Sequence, residues 1–190
     1  MKSKINRCIQ HSVDTYNRLL LDDDLQSTIE LIVTKSISTF RADKKMLLCG
    51  NGGSASDAQH IAAELSGRFY IDRPPLYAEA LHLNSSYMTA VANDYGFEET
   101  YARMVEASGR KGDILIGIST SGNSPNVVKA IQKAKDKSML TIGFTGINGG
   151  KLNDICDIMI RVPSDDTPRI QEAHILIGHI ICQLIEEEMF

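Results

Sequence analysis

Apolar residues recur at helical spacing along the first forty positions. Ile5, Cys8, Ile9, Val13, Tyr16, Leu19 and Leu20 fall on one face of a helix over residues 4–21, which Asp22-Asp23-Asp24 halts. A second helix runs on to Phe40, with Ile29, Ile32, Val33 and Ile37 together on one side. The pattern then changes. Lys45-Met46-Leu47-Leu48-Cys49 is a short apolar run with no polar face, the signature of a strand covered on both sides. A modest strand is expected at Tyr77 to Leu83, a clear one at 114–118, and two more at 139–144 and 157–162. Helical patterns separate them: one after Gly50, one over 86–107 broken at Asn93-Asp94-Tyr95-Gly96-Phe97, one over 125–137 and a last one from Pro168 to Glu188.

Strands alternating with helices predict a mostly parallel sheet with helices on both faces. The chain thus reads as one three-layer α/β/α domain over 1–190, its α/β core at 45–190 and two extra helices in 1–42. Those two helices exceed what an α/β unit needs, and their free apolar faces predict packing between subunits. At 190 residues, 43% of them hydrophobic, there is material for one full core. A net charge of −4 and no basic stripe argue against a nucleic-acid partner. The apolar stretches are too short to span a bilayer, and Met1-Lys2-Ser3-Lys4 leads into a polar helix, so no membrane segment is expected. Cysteines 8, 49, 156 and 182 have no C-x-x-C spacing and read as reduced core residues of a cytoplasmic protein.

The first strand runs into Gly50-Asn51-Gly52-Gly53-Ser54 and then a helix. Such a turn lets backbone approach an anion closely, with the unpaired N–H groups of the first helical turn aimed at it. Ser54 is the expected N-cap, with Asp57 as its capping-box partner. His60 and Glu64, at i and i+4, share a helix face beyond the turn, suited to proton transfer or metal binding. Gly50, Gly52 and Ala55 also satisfy a dinucleotide-binding pattern, but the second strand ends at Leu81-His82-Leu83-Asn84 without the acidic residue that would hold a ribose. No Lys-Ser/Thr pair follows the glycines, which excludes a P-loop. No nucleotide cofactor is expected.

A second turn, Ser119-Thr120-Ser121-Gly122-Asn123-Ser124-Pro125, places four hydroxyls at the carboxyl end of a strand, where open α/β sheets bind ligands. Ser124 is the expected N-cap and Pro125 the first helical residue. With few cations nearby, hydroxyls and helix N-termini would hold a phosphate. In the apolar last helix His174 reads as a core residue. For His179, periodicity leaves Gln171 and Glu172 open as partners.

Taken together, Gly50-Asn51-Gly52-Gly53-Ser54, Asp57-Ala58-Gln59-His60 with Glu64, Asn93-Asp94 with Gly96-Phe97, Gly117 to Ser124, and Arg169-Ile170-Gln171-Glu172 with His174 resemble the sugar isomerase (SIS) domain family over nearly the whole chain. The resemblance implies a five-stranded parallel sheet of flavodoxin-like type and a homotetramer. The implied activity is aldose–ketose isomerisation of a phosphorylated seven-carbon sugar, sedoheptulose 7-phosphate, to D-glycero-D-manno-heptose 7-phosphate, opening a route to nucleotide-activated heptoses for lipopolysaccharide or capsule. It further implies that Asn51, Gly52, Gly53, Ser54, Glu64, Asn93, Asp94, Ser119, Thr120, Ser121, Ser124 and Gln171 contact substrate. Glu64 and His179 would be the acid/base pair, and His60, Glu64, Gln171 and His179 would bind zinc. The alternative within the family is a non-catalytic protein that binds the replication initiator DnaA. Leu81-His82-Leu83-Asn84-Ser85-Ser86-Tyr87 departs from the family, whose members usually carry an Asp-Thr pair there.

Overall fold

The five apolar runs pair edge to edge. In the computed structural model, which describes Met1–Phe190, they are β1 (Met46–Gly50), β2 (Ala78–Ala80), β3 (Ile114–Ile118), β4 (Leu140–Thr145) and β5 (Ile158–Arg161). All pairings are parallel, in the order β2-β1-β3-β4-β5. The chain leaves β1 in one direction to form β2 and returns past it to form β3, so the switch in winding lies between β1 and β3. The two strands stay paired to Gly50 and Ile118, and the chain then leaves them toward opposite faces, to α3 (Gly53–Ser66) and α6 (Pro125–Asp136), which is where open α/β sheets bind ligands.

Helices cover both faces, as the strands require. Side chains alternate along each strand, so Met46, Leu48, Ile114, Ile116 and Ile118 join one core while Leu47, Cys49 and Leu115 join the other. The larger core packs α1 (Lys2–Leu20), α2 (Asp23–Arg41), α3 (Gly53–Ser66) and α8 (Thr167–Met189) on the sheet. The smaller packs α5 (Thr100–Ser108), α6 (Pro125–Asp136) and the short α7 (Leu152–Ile155). Between them α4 (Ser85–Tyr95) and a 3-10 turn at Phe97–Glu99 link β2 to α5. Cys49, Gly117, Gly143 and Met159 lie in register across four strands. The bare Gly117 lets Val127 and Ile131 of α6 sit directly on the sheet.

Several expectations need correction. β2 keeps only three residues of the run expected at 77–83. Ladder pairing with β1 covers Ala78 to Ala80, and Leu81 bonds back to the Leu48 carbonyl before the chain turns away. The break at 93–97 shrinks to Gly96, because Asn93, Asp94 and Tyr95 complete the last turn of α4. α7, only four residues long, carries no periodicity to detect. Cys49 and Cys182 are buried, but Cys8 is exposed on α1 and belongs to no core. No helix is long and apolar enough to cross a membrane.

Candidate active site

The glycine turn is built by Gly52. Its φ of 56° is a left-handed conformation that favours glycine, and it makes Gly52 the N-cap of α3. The helix therefore starts earlier than expected. Ser54, read from sequence as the cap, sits buried inside the first turn and caps nothing. Asp57 consequently loses its expected partner: its Oδ2 is buried without a hydrogen bond, and burial pushes the carboxyl up to about 6 against the pull of His60. Asn51 exchanges two side-chain hydrogen bonds with Asn126, both 2.9 Å, and Asn126 also accepts from the Val127 N–H. The Tyr101 hydroxyl donates to the Gly50 carbonyl. The end of β1 is thereby pinned to α6 and α5 across the winding switch.

The serine loop lies on the other side of that switch. Pro125 opens α6 after Ser124, as expected, but the Ser124 hydroxyl bonds Ser119 Oγ at 2.9 Å rather than a helix N–H. Ser121 is exposed and accepts from the Asn123 N–H. Thr120 and Ser121 line a polar cleft of 270 Å³ with Ser164, Asp165 and Thr167. Asn51, Ser124, Asn126 and Lys129 line a second cleft of 420 Å³. Gly122, at φ 67°, presses on the next loop so closely that a Cβ would collide with the Gly149 carbonyl oxygen. Leu152 N–H and Lys151 N–H bond Gly122 O and Asn123 Oδ1 across the same seam. Asn93 and Asp94 stand apart. Both are exposed at the end of α4, bonded to each other, and neither lines either cleft.

Titratable groups converge where α3 and α8 run side by side. Gly178 of α8 leaves room for Ile61 of α3, whose carbonyl also accepts from the Cys182 thiol. This close approach brings His179 Nε2 to 3.3 Å from His60 Nε2, which lies 3.1 Å from Glu64 Oε1. The three ligand-capable atoms all lie within 4.8 Å of one another. Gln171 is two turns further back along α8, its amide resting on Gly53 at the start of α3. Glu172, the other residue left open beside His179, faces α1 instead, with its carboxylate tied to Ser12 and Arg169. A cation fits the three-residue group. One His60 nitrogen faces both an imidazole and a carboxylate, and tetrahedral zinc with ligands near 2.0–2.1 Å would separate donor atoms by about 3.3 Å. Phe69 borders the group, its ring centroid 5.8 Å from that of His179.

Residues 14–146 match the model of the SIS domain. The chain is 50% identical over 190 residues to the phosphoheptose isomerase of Aneurinibacillus thermoaerophilus, covering 100% of this chain and 96% of that one. It belongs to the SIS domain family, among the phosphoheptose isomerases. Solved structures agree. The phosphoheptose isomerase GmhA of Neisseria gonorrhoeae superposes with a TM-score of 0.92 at 38% identity, over 98% of each chain. The phosphoheptose isomerase of Francisella tularensis gives 0.93 at 38% identity, over 97% of each. The non-catalytic, DnaA-binding alternative finds no support in these likenesses.

Against that family, several residues that hold the site escaped the sequence reading. Asn126 and Tyr101 anchor the glycine turn from 75 and 51 positions away. Arg73 and Glu186 form a buried pair beneath the His60–Glu64–His179 group. No short spacing joins either pair, so only the fold reveals them. His174 is the core residue expected: fully buried, bonded through Nε2 to the Thr145 carbonyl, and pushed down by burial to about 4.

Proposed function

We propose that this phosphoheptose isomerase converts sedoheptulose 7-phosphate to D-glycero-D-manno-heptose 7-phosphate, supplying nucleotide-activated heptose for surface polysaccharide. The observation that carries the reading is the layout along α3. At its amino end lie the glycine turn and the neighbouring serine loop; from Gly53 to His60 the helix rises about 10 Å to the His60–Glu64–His179 group. A phosphate held by Ser119, Thr120, Ser121, Ser124 and the N–H groups of Gly52 and Gly53 would leave the far end of an extended sugar at the histidines. Asn51 and Gln171 would bind the intervening hydroxyls, whereas Asn93 and Asp94, exposed at the end of α4, lie outside both clefts.

Glu64, a half-buried carboxylate with 25% of its side chain exposed, is the base that moves the proton between C1 and C2. His179, across the seam, passes the hydroxyl protons as the enediolate forms and collapses. His60, Glu64 and His179 are the residues that would hold zinc, which when bound supplies Lewis-acid polarisation of the oxygens at C1 and C2; Gln171, expected as a fourth ligand, lies beside Gly53 outside that group. His60 orients the carboxylate by its 3.1 Å contact. An apolar groove of 570 Å³ between α1, α2 and α8, together with the exposed Ile5, Ile9 and Val13 on α1, supports assembly, which we place at a homotetramer. Free cysteines and a phosphorylated substrate fit the cytoplasm.

Incubation with sedoheptulose 7-phosphate, followed by proton NMR, should show the aldose accumulate. Chelator should abolish turnover without unfolding, and zinc should restore it. His60→Ala should lose zinc binding and turnover together. Absence of aldose in zinc-supplemented buffer overturns the reaction; full turnover by His60→Ala in metal-free buffer overturns the metal role.

A further inference from the structure

Glu186 is a carboxylate 98% removed from solvent by its 2% exposure, yet it is not part of the reacting group. It accepts the backbone N–H of Phe69 (3.0 Å), Tyr70 (2.6 Å) and Ile71 (2.9 Å), and Arg73 Nε at 2.9 Å. Burial would raise its pKa, but these four donors outweigh burial and hold it at about 2. Arg73 is equally committed. Beyond Glu186, its guanidinium donates to the carbonyls of Glu64 and Leu65, both at 2.9 Å, and to Pro74 at 3.0 Å. Those of Glu64 and Leu65 belong to the last turn of α3, where carbonyls have no helical partner.

The consequence is geometric. Glu186 lies seven residues after His179 on α8, close to the same helix face. Arg73 grips the backbone of Glu64 itself. The N–H groups of residues 69–71, fixed on Glu186, set Phe69 against His179. We propose that the Arg73–Glu186 pair is a positioning device that sets the distance between Glu64 and His179, and so tunes the metal affinity and turnover of the site. This rests on the reading of His60, Glu64 and His179 as a zinc and acid/base site.

The test measures zinc(II) binding alone by calorimetry, alongside kcat, KM and Tm, in four variants. Arg73→Lys keeps the charge but loses the forked grip on the α3 carbonyls. Phe69→Leu removes the ring beside His179 and leaves the ion pair intact. Val105→Ala, in the opposite core, is a control for lost stability, and His60→Ala is the control for the site itself. Arg73→Lys and Phe69→Leu should each weaken zinc binding by about tenfold, in line with second-layer partners of metal ligands, and lower kcat with KM little changed. Val105→Ala should lower Tm and leave zinc affinity alone. Wild-type zinc affinity and kcat in both Arg73→Lys and Phe69→Leu overturn the inference, as does an equal loss of affinity in Val105→Ala. If His60→Ala binds zinc normally, the site reading fails instead, whatever the other variants do.

Discussion

His174 is a titratable group sealed in the larger core. Unfolded, it takes up a proton near 6.5; folded, it stays neutral down to about 4. The unfolded chain therefore binds more protons across that window, and stability falls as the pH drops through it, by up to about 1.4 kcal/mol per pH unit. Asp57 acts in the opposite sense, since its folded carboxyl takes up a proton already at about 6. Comparison with His174→Gln, which keeps a donor for the Thr145 carbonyl, isolates the histidine: the wild type should lose ground to the variant between pH 6.5 and 4 in chemical denaturation. The serines of the 119–124 loop should part company too. Ser121→Ala should raise KM with kcat and stability nearly unchanged. Ser124→Ala should raise KM and also cost about 1–3 kcal/mol, because the buried Ser119 hydroxyl loses its partner. Residue types and spacings single out these serines, His60 and Glu64 as candidates. Their true partners are not legible in the sequence, because Ser119–Ser124 and Asn51–Asn126 are contacts of the folded loops rather than of any motif.

At the scale of elements, periodicity carried most of the architecture. Long amphipathic helices and wholly apolar strands each have enough residues to declare their period, and all of these were found within a residue or two of their expected ends. What failed was short or backbone-driven: the three-residue β2, the four-residue α7, and the start of α3, which Gly52 fixes through a positive φ that no cap rule anticipates. The seam between α3 and α8 is the element-scale feature that most concerns function. Gly178→Val would thrust a side chain into Ile61, whose Cδ1 already lies 2.5 Å from the position of an added Cβ. Gaining a better helix former, worth about 1 kcal/mol at most, does not offset overpacking of about 1–3 kcal/mol against a residue itself locked in the core. Gly178→Val should lower Tm and separate His60 from His179, weakening zinc binding measured by calorimetry.

For the whole molecule, the apolar stripe of α1 and the groove it shares with α2 and α8 set the expected assembly. Sedimentation should report a tetramer, and Ile9→Glu with Leu20→Glu should shift it toward smaller species; a monomeric wild type at micromolar concentration would remove the assembly from the account. α1 also reaches the far end of α8, where Ser12 bonds Glu172 and the Cys8 carbonyl accepts from Arg169. Nearby, beyond Ser164 and Asp165, the seam between the serine loop and the Gly149-Gly150 loop limits any attempt to reshape substrate choice. Each loop fills the space that a side chain on the other would need, so neither can be lengthened, bulked or exchanged alone. A library that varies only 119–124 would discard nearly every member at position 122 for steric reasons unrelated to sugars. The usable unit of design is the pair, and swapping specificity into this scaffold means transplanting both loops as one piece.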